Sequence, residues 1–316
     1  MVSRAASGSG GRATIHNQEG TPMLKVIDSH HHIWRKQDLP WLLEGKPRIF
    51  GDYTALKRDY PIEEFKDDVS SCNVVKSVYL QANWSYDRSV EEAEWVAETG
   101  RRHGMPNAIV ANADLRSPDV ERLLDRYTEI SEVRGIRQHL HWHKNPKFSY
   151  IEAPDVFDHE DWRRGMKLLA ERGFSFDLQI FPSQMKGVVG MLNDFSDTTF
   201  VLNHAGMLDA RDDESIEVWR TGMEGLAKCK NLFVKFTGLG TFDHRSSPDL
   251  MAPMIPVSLE LFGARRCMYG SNYPIEKLWT SYQTYFDNVR RAVGDISDTD
   301  AHELYYGTAS RAYRLQ

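Results

Sequence analysis

A (β/α)8 barrel is the fold class the sequence predicts, and three observations predict it. Eight short β-rich runs alternate with longer helical patterns from residue 24 onward. Strands separated by helices imply a parallel sheet. A chain of 316 residues, 41% hydrophobic, can bury the core such a sheet needs when it closes on itself.

Taken in order, residues 1–23 begin MVSRAASGSGGRATIHNQEGTP, which is small, polar and Gly-rich. They read as a flexible leader without the apolar centre of a secretory signal, and Met23 offers an alternative start. Residues 24–316 read as one barrel domain. Its strand runs are KVIDSHHH, VKSVYLQAN, NAIVANADL, VRGIRQHLH, GFSFDLQIF, TFVLNHAG, LFVKFTGLG and RCMYGSNYP. Between them lie amphipathic segments such as VEEAEWVAETGRRHG, DVERLLDRYTEI, DHEDWRRGMKLLAERG, ESIEVWRTGMEGLAKC and MIPVSLELFG, whose apolar spacing fits helices.

Chemistry in such barrels sits at the C-terminal ends of the strands. The first run ends in three histidines, which are costly in a core unless something uses them. Strand alternation points His30 and His32 one way and His31 the other, so two imidazoles can meet one ion. The other ends offer Gln81, Asp114, Arg137 with His139 and His141, Asp177 with Gln179, His204, Lys235 with Thr237, and Asn272. His30, His32 and His204 form a nitrogen-rich set able to hold a divalent ion, zinc by ligand type, with a coordination position left open.

The net charge of −6 gives no general attraction to nucleic acid or to an anionic membrane, so a small molecule is the expected partner. Cys72, Cys229 and Cys267 are too few and scattered for a disulfide framework, which suits the cytoplasm. No apolar run approaches the roughly 20 residues of a membrane helix. A homo-oligomer is left open.

At these residues the chain resembles a known family. VIDSHHHIW looks like the HxH opening of the amidohydrolase superfamily, of the amidohydrolase-2 type. RGIRQ, FSFDLQI, FVLNHAGM, LFVKFTGLG and RCMYGSNYP resemble, in order, signatures of its branch of sugar-lactone and related lactone hydrolases. The resemblance covers about residues 24–316 and implies a hydrolase that opens a lactone ring. His30, His32 and His204 match the family's site histidines, and Arg137 matches an arginine that meets substrate oxygens. Some members of the branch work without a bound metal, so metal-independent activity stays open.

One position departs from the wider pattern. The eighth strand usually ends in GSDWP, with an aspartate that binds metal and shuttles a proton, whereas this chain reads GSNYP and places Asn272 there. An amide cannot take a proton, although it can orient water or donate to an oxyanion. Either metal-bound hydroxide suffices, or a carboxylate such as Asp177 or Glu276 takes over, or hydrolysis is lost.

In RQHLHWH, the histidines His139, His141 and His143 alternate on one face, and only the one nearest the mouth is expected to touch substrate. Trp34, Trp84, Trp142 and Trp279 follow strand ends, where aromatic walls suit a ring. The long connection Trp41 to Tyr60 reads as a lid, with Arg48, Tyr53 and Lys57 as candidate carboxylate contacts. The expected function is a metal-assisted hydrolase of a small cyclic ester. His30, His32, His204, Asn272 and Arg137 would act in catalysis, and Gln81, Trp34, His141 and Arg137 would bind substrate. The alternatives are a decarboxylase of a hydroxylated aromatic acid, distinguished by carbon dioxide release, and a non-catalytic binder.

Overall fold

The structure, a computed structural model, describes residues 24–315, so the expected leader lies outside the described residues. Eight strands run in the expected order: β1 Val26–His31, β2 Val74–Leu80, β3 Ala108–Asn112, β4 Val133–His139, β5 Ser175–Gln179, β6 Phe200–Leu202, β7 Leu232–Phe236 and β8 Cys267–Tyr269. Each pairs in parallel with the next. β8 returns to β1 through a bridge between His31 and Tyr273, flanked by 2.7 Å hydrogen bonds from the N–H of His32 to Tyr273 O and from that of Asn272 to His30 O. The nearly closed (β/α)8 barrel is therefore the observed fold.

A helix follows each strand on the outside: α1 Ile62–Asp68, α2 Ser89–His103, α3 Val120–Thr128, α4 Glu160–Glu171, α5 Met185–Asp194, α6 Asp213–Leu226, α7 Ile255–Phe262 and α8 Tyr282–Val293. In α4, Trp162, Gly165, Met166 and Leu169 are buried at helical spacing, and the acidic Glu160 and Asp161 lie at the positive N-terminal end. A Cβ at Gly165 would stand 2.1 Å from the Leu115 carbonyl, so only glycine lets α4 settle this close to the turn after β3. α6 starts where the Asp212 carboxylate accepts the Ser215 N–H at 3.0 Å, and it buries Trp219, Met223 and Leu226.

Two apolar layers result. The larger lies between strands and helices, and the smaller fills the barrel with Ile27, Val78, Leu80, Val110, Val201 and Met268. Ala309, Ala312, Tyr313 and Leu315 from the C-terminal segment join the inner layer. Arg314 reaches the carbonyl of Arg134 near the start of β4, so this segment plugs the barrel at its N-terminal face. The opposite face is free for a site. No helix among the described residues is long and apolar enough to cross a membrane.

Candidate active site

β1 supplies the floor. The rings of His30 and His32 stand 5.3 Å apart, and His30 lies 5.0 Å from His204. His31 turns the other way, stacks on Phe65 of α1 at 3.8 Å and meets the Ser77 hydroxyl at 3.0 Å. The Asp28 carboxylate accepts from the N–H groups of His30 and Ser271 and from the Tyr282 hydroxyl, pinning β1 to β8 beneath the histidines. Burial pushes Asp28 up to about 6.

Where β6 and β8 stop, the chain turns left-handed. His204, Ala205, Gly206 and Met207 follow one another at positive φ, and Asn272 has φ 62°. For non-glycine residues this conformation is uncommon, and it clusters where surrounding structure holds a side chain in a required direction. Here it aims His204 and Asn272 at one spot. Gly238, after β7, leaves room for both: a Cβ there would stand 2.4 Å from His204 Nδ1 and 3.2 Å from Asn272 Nδ2.

Above this floor opens a cavity of about 390 Å³. His32, Gln81, Arg137, His139, His141, Gln179, His204 and Asn272 supply its polar lining, and Trp34, Trp41, Phe50, Phe148, Tyr150 and Phe242 its aromatic walls. Arg48, Arg137 and Lys147 line it without a single Asp or Glu, and Arg137 is 3% exposed. Arg137 Nη2 donates to Gln81 O at 2.7 Å while its Nε finds no acceptor. Burial lowers the Arg137 pKa to about 10, offset in part by the charges of Asp177 and Glu92. Burial first, then nearby positive charge, lowers His32 and His204 to about 3, so both rings are neutral.

The structure thus brings together His30, His32, His204, Asn272, Arg137, Gln81, Trp34 and His141, with His30 beneath the lining and the others on it. Other expectations need correction. Trp84 packs against Trp95 between Arg35 and Arg88, Trp279 donates to Glu276, and neither they nor Trp142 line the cavity. Of the three candidates on the long connection only Arg48 reaches it, because the Tyr53 hydroxyl donates to the carbonyl of Lys46 and Lys57 lies over the Tyr53 ring. Both His139 and His141 line the cavity, while His143 pairs with Asp209. Asp114 is occupied by Arg116 and Gln138. Asp177 is held inside the barrel by Lys235 at 2.8 Å and by Tyr313, which rules it out as the substitute base. Trp41, Phe50, Phe148, Tyr150 and Phe242 went unread because loop aromatics carry no periodic signal.

The donor set fits a divalent ion in its chemistry. Both ring nitrogens of His30 are buried without a hydrogen-bond partner. Nδ1–H of His32 donates to Leu80 O at 2.8 Å and that of His204 to Thr237 O at 3.1 Å, so each neutral ring keeps a lone pair on Nε2. The side chains are not set as a finished cage, for no group of three His, Cys, Asp or Glu among the described residues stands ready to hold an ion.

An amidohydrolase family model matches residues 27–315. The chain belongs to that family. Among relatives of this amidohydrolase is an uncharacterised protein of Sinorhizobium fredii, 35% identical over 92% of this chain and 99% of that one. An L-fucono-1,5-lactonase of Burkholderia multivorans is 28% identical over 92% of this chain and 96% of the relative. A crystal structure of an amidohydrolase from Burkholderia multivorans with bound zinc superposes with a TM-score of 0.77 at 27% identity, covering 92% of this chain and all of that one.

Proposed function

We propose that this amidohydrolase opens a small cyclic ester, and that the ester carries a carboxylate or several oxygens on a flat or ring-shaped body. The observation carrying the reading is the acid-free cavity: three uncharged imidazoles on its floor, a buried guanidinium without a carboxylate partner, and aromatic walls. A buried cation left unpaired is unfavourable unless a ligand completes it. The L-fucono-1,5-lactonase among the relatives supports a lactone as the ring.

The residues divide the work. His30, His32 and His204 would hold a divalent ion, zinc by ligand type, which when bound supplies a Lewis acid and a more acidic water. Arg137 meets substrate oxygens by charge-assisted hydrogen bonds. The Asn272 amide donates to the carbonyl oxygen as negative charge develops there, and Gln81 and His141 orient the polar edge of the ring. Trp34 and Trp41 cover one wall, which excludes bulk water and strengthens each of these interactions.

The test combines elemental analysis of the purified protein with a screen of sugar lactones and aromatic-derived lactones, read by a pH indicator. Acid release on a lactone is the expected result. Carbon dioxide release from a hydroxylated aromatic acid, without lactone opening, would replace the reading with a decarboxylase.

A further inference from the structure

Glu92 is a buried carboxyl that the reading above leaves unused, and it lies beneath the end of β2. It belongs to the first turn of α2, whose positive end favours an acid. That end alone does not account for it, because the adjacent Glu91 spends its carboxylate on Arg88 at the surface while Glu92 is 2% exposed. Burying a carboxyl is costly unless its hydrogen bonds are put to use. Oε1 of Glu92 accepts from the Tyr79 hydroxyl at 2.7 Å and from the Ala82 N–H at 2.6 Å. Oε2 is buried and makes no hydrogen bond of ordinary geometry. With two donors on it, Oε1 remains an acceptor whether or not Oε2 carries a proton.

The Ala82 N–H and the Gln81 carbonyl are the two ends of one peptide group. That peptide is trans, so the two ends point in opposite directions. Glu92 holds the N–H, and the carbonyl accepts from Arg137 Nη2 at 2.7 Å. Among the described residues that carbonyl is the sole hydrogen-bond acceptor of the Arg137 guanidinium, whose Nε finds none. The preceding peptide is held separately, by the Gln81 N–H on the Val110 carbonyl at 2.9 Å, and its Leu80 carbonyl serves His32. Rotation of the Gln81–Ala82 peptide is therefore set by the acid beneath it. We propose that Glu92 is a positioning residue for Arg137: by holding the Ala82 N–H it turns the Gln81 carbonyl onto the guanidinium, and so fixes where that cation meets substrate oxygens. The kinetic consequence rests on the hydrolase reading, whereas the chain of hydrogen bonds does not. Without an acceptor under the N–H, the peptide is free to rotate and Arg137 loses its anchor.

Two readouts decide it. The first needs no substrate: in proton–nitrogen correlation spectra of the whole protein, isotope-labelled at arginine, the Arg137 Nε–H signal is the one lost in Arg137→Met. It should broaden or vanish in Glu92→Met. It should stay sharp in Glu92→Gln, which keeps an acceptor, and in Thr308→Val, whose buried hydroxyl bonds the Ala264 carbonyl away from the cavity. A signal that Glu92→Met leaves unmoved, or that Thr308→Val disturbs equally, would overturn the contact. The second readout compares glucono-δ-lactone, rich in hydroxyls, with dihydrocoumarin, whose only oxygens are those of the ester. Glu92→Met should lower kcat/KM on the sugar lactone by about 5- to 50-fold, mainly through KM, and on dihydrocoumarin by less than about threefold. Glu92→Met combined with Arg137→Met should be no slower on the sugar lactone than Arg137→Met alone, because both remove the same contact. Equal losses on the two lactones, or losses that multiply in the double variant, would overturn the proposal and make Glu92 a packing residue. Should Glu92→Met not fold, Glu92→Gln still decides: loss of the arginine signal, or a sugar-lactone loss as large as that of Arg137→Met, would sink the proposal. If the wild type opens neither lactone, the hydrolase reading fails while the spectra still decide the positioning.

Discussion

Lys235 Nζ donates to the Asp177 carboxylate at 2.8 Å, and both side chains are completely buried inside the barrel. Tyr313, from the segment that plugs the barrel's N-terminal face, donates to both oxygens of the same carboxylate at 2.9 and 3.0 Å. The C-terminal plug, β5 and β7 are therefore tied through one acid. Lys235→Met strands the acid without its cation and should destabilise the fold by about 3–5 kcal/mol. Tyr313→Phe removes only a neutral donor and should cost about 1–2 kcal/mol. Denaturant unfolding of the two variants measures the difference, and equal losses would mean that the cation does not govern the triad.

Gly238 makes a sharper local prediction. With φ 61° and a virtual Cβ 2.4 Å from His204 Nδ1, Gly238→Ala must displace the ring or the backbone. A destabilisation of about 1–3 kcal/mol should follow. Turnover should fall by more than that loss explains, because His204 shifts relative to His30. A variant with wild-type zinc uptake and turnover would show that His204 can move without consequence.

Much of this geometry was legible in the sequence. Strand alternation alone separated His31 from its neighbours, since period-two geometry leaves no other arrangement in an extended run. Of the strand-end residues, Gln81, Arg137, His139, His141, Gln179, His204 and Asn272 do line the cavity, whereas Asp114, Asp177, Lys235 and Thr237 do not. The residues that turn left-handed, His204 and Asn272, were found by motif and not by conformation, because φ is not written in residue type outside glycine. The aromatic walls and the isolation of Asp177 by Tyr313 depend on partners far away in the chain, such as the 136 positions between those two residues. No local pattern encodes such a partnership. Trp84 misled for the same reason: a tryptophan after a strand can pack outward as easily as inward.

Acid should weaken the metal-free protein in a defined window. His31, His32, His141 and His204 are held near 3 by burial, against an ordinary value of 6.5. The unfolded chain therefore binds more protons than the native one between about pH 6.5 and 3, and stability must fall as pH falls through that range. Glu92 and Glu276, raised to about 7 and about 8, have the opposite sign: their contribution is complete below the ordinary carboxylate range and is lost as pH rises through 7 to 8. Thermal melts in chelator should peak between these limbs, near pH 6 to 7 by the sum of the two. A melting temperature that rises steadily from pH 6.5 down to 4.5 would contradict the neutral histidines.

Arg137 carries the only fully buried charge among the cations lining the cavity, and it has no ion-pair partner among the described residues. Arg137→Met should lower kcat/KM on a carboxylated or polyhydroxylated lactone by the equivalent of about 1.5–3 kcal/mol. Stability should hold or rise, because an unpaired buried charge is replaced by an apolar side chain. Unchanged kinetics with a collapsed melting temperature would make Arg137 a structural residue.

The three consecutive histidines supply the last test. His30 has two buried nitrogens without partners, while His31 spends its ring on Phe65 and Ser77. His30→Ala should strip most of the bound zinc measured by elemental analysis after reconstitution, and leave turnover reduced by orders of magnitude. His31→Ala opens a hole between β1 and α1 and removes a stacked ring, so it should destabilise by about 2–4 kcal/mol while zinc content stays at the wild-type level. His32→Ala should behave like His30→Ala, because its Nδ1–H is committed to Leu80 O, which leaves Nε2 of a cavity-lining ring for the ion. Should His30→Ala and His31→Ala lose zinc equally, the two faces of β1 would not be functionally distinct. An active wild type that stays zinc-free after exhaustive chelation would instead leave the histidines to act as hydrogen-bonding groups on the substrate.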